Sequence, residues 1–175
     1  MMRESDDLWV FGYGSLMWRP GFDYEEQSPA QVHGYHRSLC IFSHVHRGTP
    51  EKPGLVLGLD LGGTCHGLAF RVSPVNRDAT LLYLREREQV TAVYVEKWVM
   101  AELDDGRKVR AVAYVVDATH PQYAGRLPHH DLLRLVQQGH GMSGANVDYI
   151  RATFDHLVAA GIEDPDLAAL VAELG

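Results

Sequence analysis

The sequence predicts an α+β fold whose mixed sheet can close into a barrel. Strand-like composition dominates the first two thirds of the chain and helical periodicity the last third, with one helical segment set among the strands. The 175 residues, 46% hydrophobic and 22% charged, suit a single globular domain, 1–175.

The first element is Leu8-Trp9-Val10-Phe11, a short apolar strand that runs into Gly12-Tyr13-Gly14-Ser15-Leu16-Met17-Trp18. Arg19-Pro20-Gly21-Phe22 reads as a turn, as does Ser28-Pro29, before Ala30 to Phe42 resumes strand composition over a length that suits two strands. Turn formers crowd Arg47 to Gly54, which predicts an exposed loop. Leu55 to Asp60, Gly62-Gly63 and Cys65 to Val72 then read as strand, tight turn, strand. Past Ser73-Pro74 the period changes. Ala79, Leu81, Leu82 and Leu84 recur at helical spacing, Asp78 stands near the start, and neither Gly nor Pro intervenes up to Gln89. Val90 to Met100 returns to strand composition, Asp104-Asp105-Gly106 is a hairpin turn, and Val109 to Val116 is the return strand. Asp131 to Gln138, Ala145 to Ala160 and Pro165 to Leu174 are helices, punctuated by glycines and Pro165.

Charge narrows the function. Sixteen basic against twenty-three acidic residues give a net charge of -7, the wrong balance for a nucleic-acid partner, which demands clustered positive charge. Cys40 and Cys65 lack C-x-x-C spacing, and the first residues carry no basic, apolar and small-residue leader pattern; reduced thiols in the cytoplasm are expected. No apolar run approaches the roughly 18 residues of a membrane span, so no membrane partner is expected.

A strand opening into two glycines and a serine can present bare N–H groups to an anion, or the glycines can simply shape a tight turn. It is not a dinucleotide fingerprint, because the third glycine is missing and Arg19-Pro20-Gly21 stops any helix. Nor is it a nucleophile elbow, since Met17 stands where Gly-x-Ser-x-Gly requires glycine, which leaves Ser15 a weak nucleophile candidate. On the helix, at about 100° per residue, Glu88 falls between Leu81 and Leu84 on the apolar face, whereas Glu86 points toward its edge. A buried carboxyl has its pKa raised and becomes a proton exchanger near neutral pH. By charge pattern alone, Arg85-Glu86-Arg87-Glu88 reads first as a solvated helix face with neighbouring salt bridges. His44-Val45-His46 would place two imidazoles on one strand face, but spacing supplies no third ligand, and no metal site is expected. Cys40, Cys65, Trp9 and Trp98 read as packing residues; Trp18, next to the loop, can also wall a pocket.

Phe11 to Trp18, Gly34-Tyr35-His36-Arg37, Cys65 to Val72, Tyr83 to Glu88 and Tyr123-Ala124-Gly125, in this order, resemble the ChaC-like, glutathione-specific γ-glutamylcyclotransferases. Gly139-His140-Gly141-Met142-Ser143-Gly144-Ala145-Asn146-Val147-Asp148-Tyr149 looks like that family's glycine-spaced segment ending in Asn-x-x-Tyr. The resemblance implies a small mixed β-barrel flanked by helices. It also implies cleavage of the small molecule glutathione to 5-oxoproline and cysteinylglycine without cofactor or metal. By the same resemblance the catalytic glutamate falls on Glu88, the substrate-binding loop on Tyr13, Gly14, Ser15 and Leu16, and a late binding tyrosine on Tyr149. Ala92-Val93 before Tyr94 departs from the glycines many members carry there.

Overall fold

The computed structural model describes residues 7–88 and 93–174. Its contacts fall into two compact units, Met1–Arg37 with Leu59–Asp117, and Ser38–Gly58 with Ala118–Gly175. The sheet is a closed barrel of strands β1 (Leu8–Gly12), β2 (Glu26–Ser43), β3 (Gly54–Val72), β4 (Tyr94–Leu103) and β5 (Lys108–Val116), ordered β1-β3-β2-β4-β5. β1 runs antiparallel to β3 and parallel to β5, pairing Val10 with both Phe70 and Val112. The sheet is therefore mixed, and β1 is buried at every position.

The first unit's core follows the two-residue alternation of strands. Leu8 and Val10, Phe70 and Val72, and Val112 and Tyr114 share one face. Helix α1 (Arg77–Glu88) lays Leu81 and Leu84 on that face, and Leu16 joins them from the loop after β1. Asp78 in the first turn of α1 and Arg85 and Arg87 in its last turn complement the helix dipole. The β4–β5 hairpin turns at Asp104-Asp105-Gly106, as its sequence requires, with Gly106 at φ 93°. The expected strand segment from Val90 to Ala92, and Gln89 before it, lie outside the described residues.

Two expected turns are not turns. Ser28-Pro29 lies inside β2: the β2–β4 ladder begins at Ala30, one residue past the proline, whose carbonyl accepts from the Asp104 N–H at 2.9 Å. Gly62-Gly63 lies inside β3, which is one continuous strand, as β2 is from Glu26 to Ser43. Gly62 and Gly63 have φ of 102° and 75°, Gly34 on β2 has 95°, and His36 Nδ1 lies 2.9 Å from the Gly62 carbonyl oxygen. Two glycine-bent strands curve here without ending.

In the second unit, helices α2 (His129–Gln138), α3 (Asn146–Ala159) and α4 (Pro165–Glu173) pack on one another. Asp164 caps α4 by accepting from the Leu167 N–H, and Pro165 follows at the first turn. A two-stranded ribbon, β6 (His140–Gly141) with β7 (Gly144–Ala145), leads into α3. Backbones nearly touch around it. A Cβ on Gly139 would lie 2.8 Å from Gly54 Cα, and one on Gly141 2.7 Å from the His46 carbonyl carbon.

Candidate active site

β1 delivers the chain into a single 3-10 turn, Ser15–Met17. The Met17 N–H donates to the Gly14 carbonyl at 2.9 Å and the Arg19 N–H to the Ser15 carbonyl at 2.8 Å. Tyr13 and Leu16 are buried, Gly14 is half-buried and Ser15 is exposed. The Leu16 side chain belongs to the core, so this turn offers a ligand its backbone and the Ser15 hydroxyl. Gly12 admits the turn: a Cβ there would stand 3.0 Å from Leu16 Cβ.

Two arginines hold the loop. Arg37, on β2, donates from Nε to the Tyr13 carbonyl at 2.7 Å and from Nη2 to the His66 carbonyl at 2.6 Å. Arg87, in the last turn of α1, donates from Nη1 to the carbonyls of Arg19 (2.6 Å) and Pro20 (3.1 Å) and to the Tyr83 hydroxyl (3.0 Å). Its Nη2 donates to Ser15 Oγ at 3.0 Å. Sequence reasoning assigned neither arginine a role, because a long cation tethered to carbonyls and one on a solvated face read alike. The available signals are that Arg37 and Arg87 lie within segments that carry the resemblance and that Arg87 adjoins Glu88.

Glu88 is the last residue of α1, with its side chain 17% exposed; Glu86 is exposed. Burial pushes the Glu88 carboxyl above the usual carboxylate range, and the positive charge of Arg87, whose Nε lies 3.5 Å from Oε1, pulls it partly back. Two other carboxylates of this unit go the opposite way. Arg107 and Arg71 hold Glu26 low, and Arg85 holds Glu96 low through a two-pronged contact at 2.9 and 3.1 Å. The buried Tyr114 phenol, its pKa pushed up by burial and by Glu96, stays neutral and donates to Glu96 Oε1 at 2.8 Å. Of these three carboxyls only Glu88 is shifted upward.

In the second unit, Tyr149 Oη accepts from the Leu57 N–H at 3.0 Å, and the Arg47 guanidinium lies over its ring, 5.5 Å from the centroid. One helical turn earlier the fully buried Asn146 accepts from the Leu55 N–H and donates to the Leu55 carbonyl, each at 2.8 Å. Asn146 and Tyr149 give β3 the partners that a neighbouring strand would otherwise supply. His44-Val45-His46 follows the end of β2, so the expected shared strand face does not form; His46 Nδ1 lies 2.9 Å from Ser143 Oγ. Among the described residues no three His, Cys, Asp or Glu side chains gather as metal ligands, and Cys40 and Cys65 are buried and outside any disulfide.

The fold, a closed mixed barrel flanked by helices, is that of the γ-glutamylcyclotransferases. Two crystal structures of a γ-glutamyl cyclotransferase specific to glutathione from yeast match it with TM-scores of 0.82 and 0.81, at 22% and 23% identity. Each match covers 95% of this chain, and 94% and 96% of the respective yeast chains. The model of the ChaC-like protein family matches residues 8–175, and the chain belongs to that family. Among its relatives, the glutathione-specific gamma-glutamylcyclotransferase of Escherichia coli is 33% identical over 96% of this chain and 73% of its own length. Glutathione-specific gamma-glutamylcyclotransferase 1 of Homo sapiens is 34% identical over 96% and 78%.

Proposed function

We propose that this chain is a glutathione-specific γ-glutamylcyclotransferase, in which Glu88 carries the proton and the loop Tyr13 to Leu16 holds the γ-glutamyl group. Relatives that bear this activity in their names and align over 96% of the chain support the reaction. The observation that carries the mechanism is the burial of Glu88, which lifts its proton affinity toward the range in which a general base works.

The substrate's α-ammonium gives a proton to Glu88, and the freed amine attacks the γ-carbonyl of the same molecule to close a five-membered lactam. As the tetrahedral intermediate collapses, Glu88 returns that proton to the nitrogen of the departing cysteinylglycine, while the ring nitrogen releases to solvent the one proton more than an amide holds and the freed amine takes one up to leave as an ammonium. One amide forms and one breaks, no water is consumed, and 5-oxoproline is the second product. Attack within one molecule needs orientation above all; well-oriented reactions of this kind reach effective molarities on the order of 10⁵ M or more. The N–H groups of Gly14, Ser15 and Leu16 receive the α-carboxylate, Tyr13 shapes the loop, and Tyr149 contributes to substrate binding. Ser15 binds and does not attack. Its hydroxyl receives an N–H from Arg87, a guanidinium that has no lone pair with which to act as base.

The reaction is set in the cytoplasm, where reduced glutathione is held and where thiols such as Cys40 and Cys65 stay reduced. Among the described residues no helix is long and apolar enough to cross a membrane. Incubating the purified protein with reduced glutathione tests the proposal: 5-oxoproline and cysteinylglycine appear in equal amounts. Profiling against other γ-glutamyl amines and amino acids tests the specificity, and a chain that binds γ-glutamyl peptides without releasing 5-oxoproline would be a binding module instead.

A further inference from the structure

Arg87 is engaged more heavily than a surface cation. It makes four hydrogen bonds, three of them to residues of the loop that follows β1, and sits next to the acid in the last turn of α1. Its side chain is 19% exposed, and its bonds to the Pro20 carbonyl and the Tyr83 hydroxyl are part-buried, whereas those to the Arg19 carbonyl and Ser15 Oγ are exposed. The four acceptors are three oxygens of the loop, two of them main-chain, and a phenol on Arg87's own helix. A planar guanidinium can serve such a set at once from fixed directions, whereas an ammonium on a flexible stem cannot.

We infer that Arg87 is the positioning residue that locks the acid-bearing end of α1 to the substrate loop, so that Glu88 and the γ-glutamyl-binding turn keep one fixed register. This rests on the reading of Glu88 as proton carrier and of residues 13–16 as the binding loop. Arg87 has a second, separable effect through its charge, which opposes burial at Glu88. Other groups near Glu88 leave that effect to Arg87. Tyr114 on β5 is buried and neutral, Glu96 on β4 is occupied by Arg85 and Tyr114, Glu86 is exposed on the helix, and Arg19 on the loop is exposed.

Arg87→Lys and Arg87→Met separate the tether from the charge, measured through kcat, KM and the pH profile of kcat/KM with reduced glutathione. Both variants lose the multi-directional tether, and KM rises about tenfold in each. The acidic limb of the profile moves to higher pH in Arg87→Met alone, because the lysine keeps a positive charge. Tyr83→Phe removes one of the four bonds without touching the charge or the loop and raises KM by a smaller factor, which keeps the test available if Arg87→Met does not fold. Unchanged KM in the lysine and Tyr83 variants overturns the inference, and so does an equal fall of kcat in all three with KM and the limb unmoved, the mark of a merely structural role. Glu88→Gln run alongside keeps the two readings apart: if it retains full turnover, the assignment of Glu88 fails, whatever Arg87 does.

Discussion

Glu88→Gln exchanges an ionisable oxygen for an amide nitrogen while nearly preserving shape. The side chain is 17% exposed, so the amide fills the same space, and Arg87 keeps its four hydrogen bonds to the loop and Tyr83. Binding should therefore survive, with KM within about threefold of wild type, whereas loss of the general base lowers kcat by ~10²–10⁴-fold. Steady-state release of 5-oxoproline, followed chromatographically across glutathione concentrations, measures both. The same substitution has a thermodynamic signature whose sign follows from linkage. Burial raises the folded-state pKa above the ordinary 4.5, so between the two values the native state binds more protons than the unfolded chain. Wild-type stability then falls as pH rises from about 4.5 and levels off above the folded-state pKa, a loss that Gln, which does not titrate, escapes. Thermal unfolding from pH 4 upward should show Glu88→Gln gaining on wild type through that window. A kcat within about threefold of wild type, or a stability difference independent of pH, would refute the reasoning.

Three further substitutions test the frame around the site. Asn146→Ala strips the Leu55 N–H and carbonyl of buried partners at 2.8 Å, and at about 1–3 kcal/mol for each orphaned group should cost about 2–6 kcal/mol in urea unfolding. Tyr149→Phe removes the acceptor of the Leu57 N–H; about 1–2 kcal/mol should be lost in the same assay, accompanied by a rise in KM if the tyrosine meets substrate. Gly21→Ala forces a side chain into a residue at φ 77° whose Cβ would run into the Tyr83 phenol, so a loss of about 1–3 kcal/mol is expected in thermal unfolding, together with weaker glutathione binding as Tyr83 is displaced from Arg87.

Periodicity made much of the barrel legible. The apolar run of β1, the spacing of Leu81 and Leu84, the Asp-Asp-Gly hairpin and the three late helices all stand near their expected limits, because each is decided by neighbours a few residues apart. The errors came where distant partners decide. Gly62-Gly63 and Pro29 carry strong local turn signals, yet both are held in strand by segments that local sequence does not reveal. The candidate site divides the same way. The different burial of Glu88 and Glu86 follows from the helical wheel, whereas the contacts of Arg37 with Tyr13 and of Arg87 with Ser15 span 24 and 72 residues and leave no periodic trace. The hydrogen bond from Leu57 to Tyr149, 92 residues apart, is equally invisible to spacing.

The contact between Asn146 and Leu55 also bears on how the protein is made. Those residues are 91 positions apart, and the glycines at 54 and 139 let the two backbones approach more closely than side chains allow. During synthesis the first half of β3 leaves the ribosome long before Asn146 does, so its Leu55 and Leu57 amides stay hydrated until the last third of the polypeptide has been translated. Closure of so long a loop is slow and entropically costly. Nascent chains halted before that point are the ones in which this strand lies open to chaperones and to aggregation.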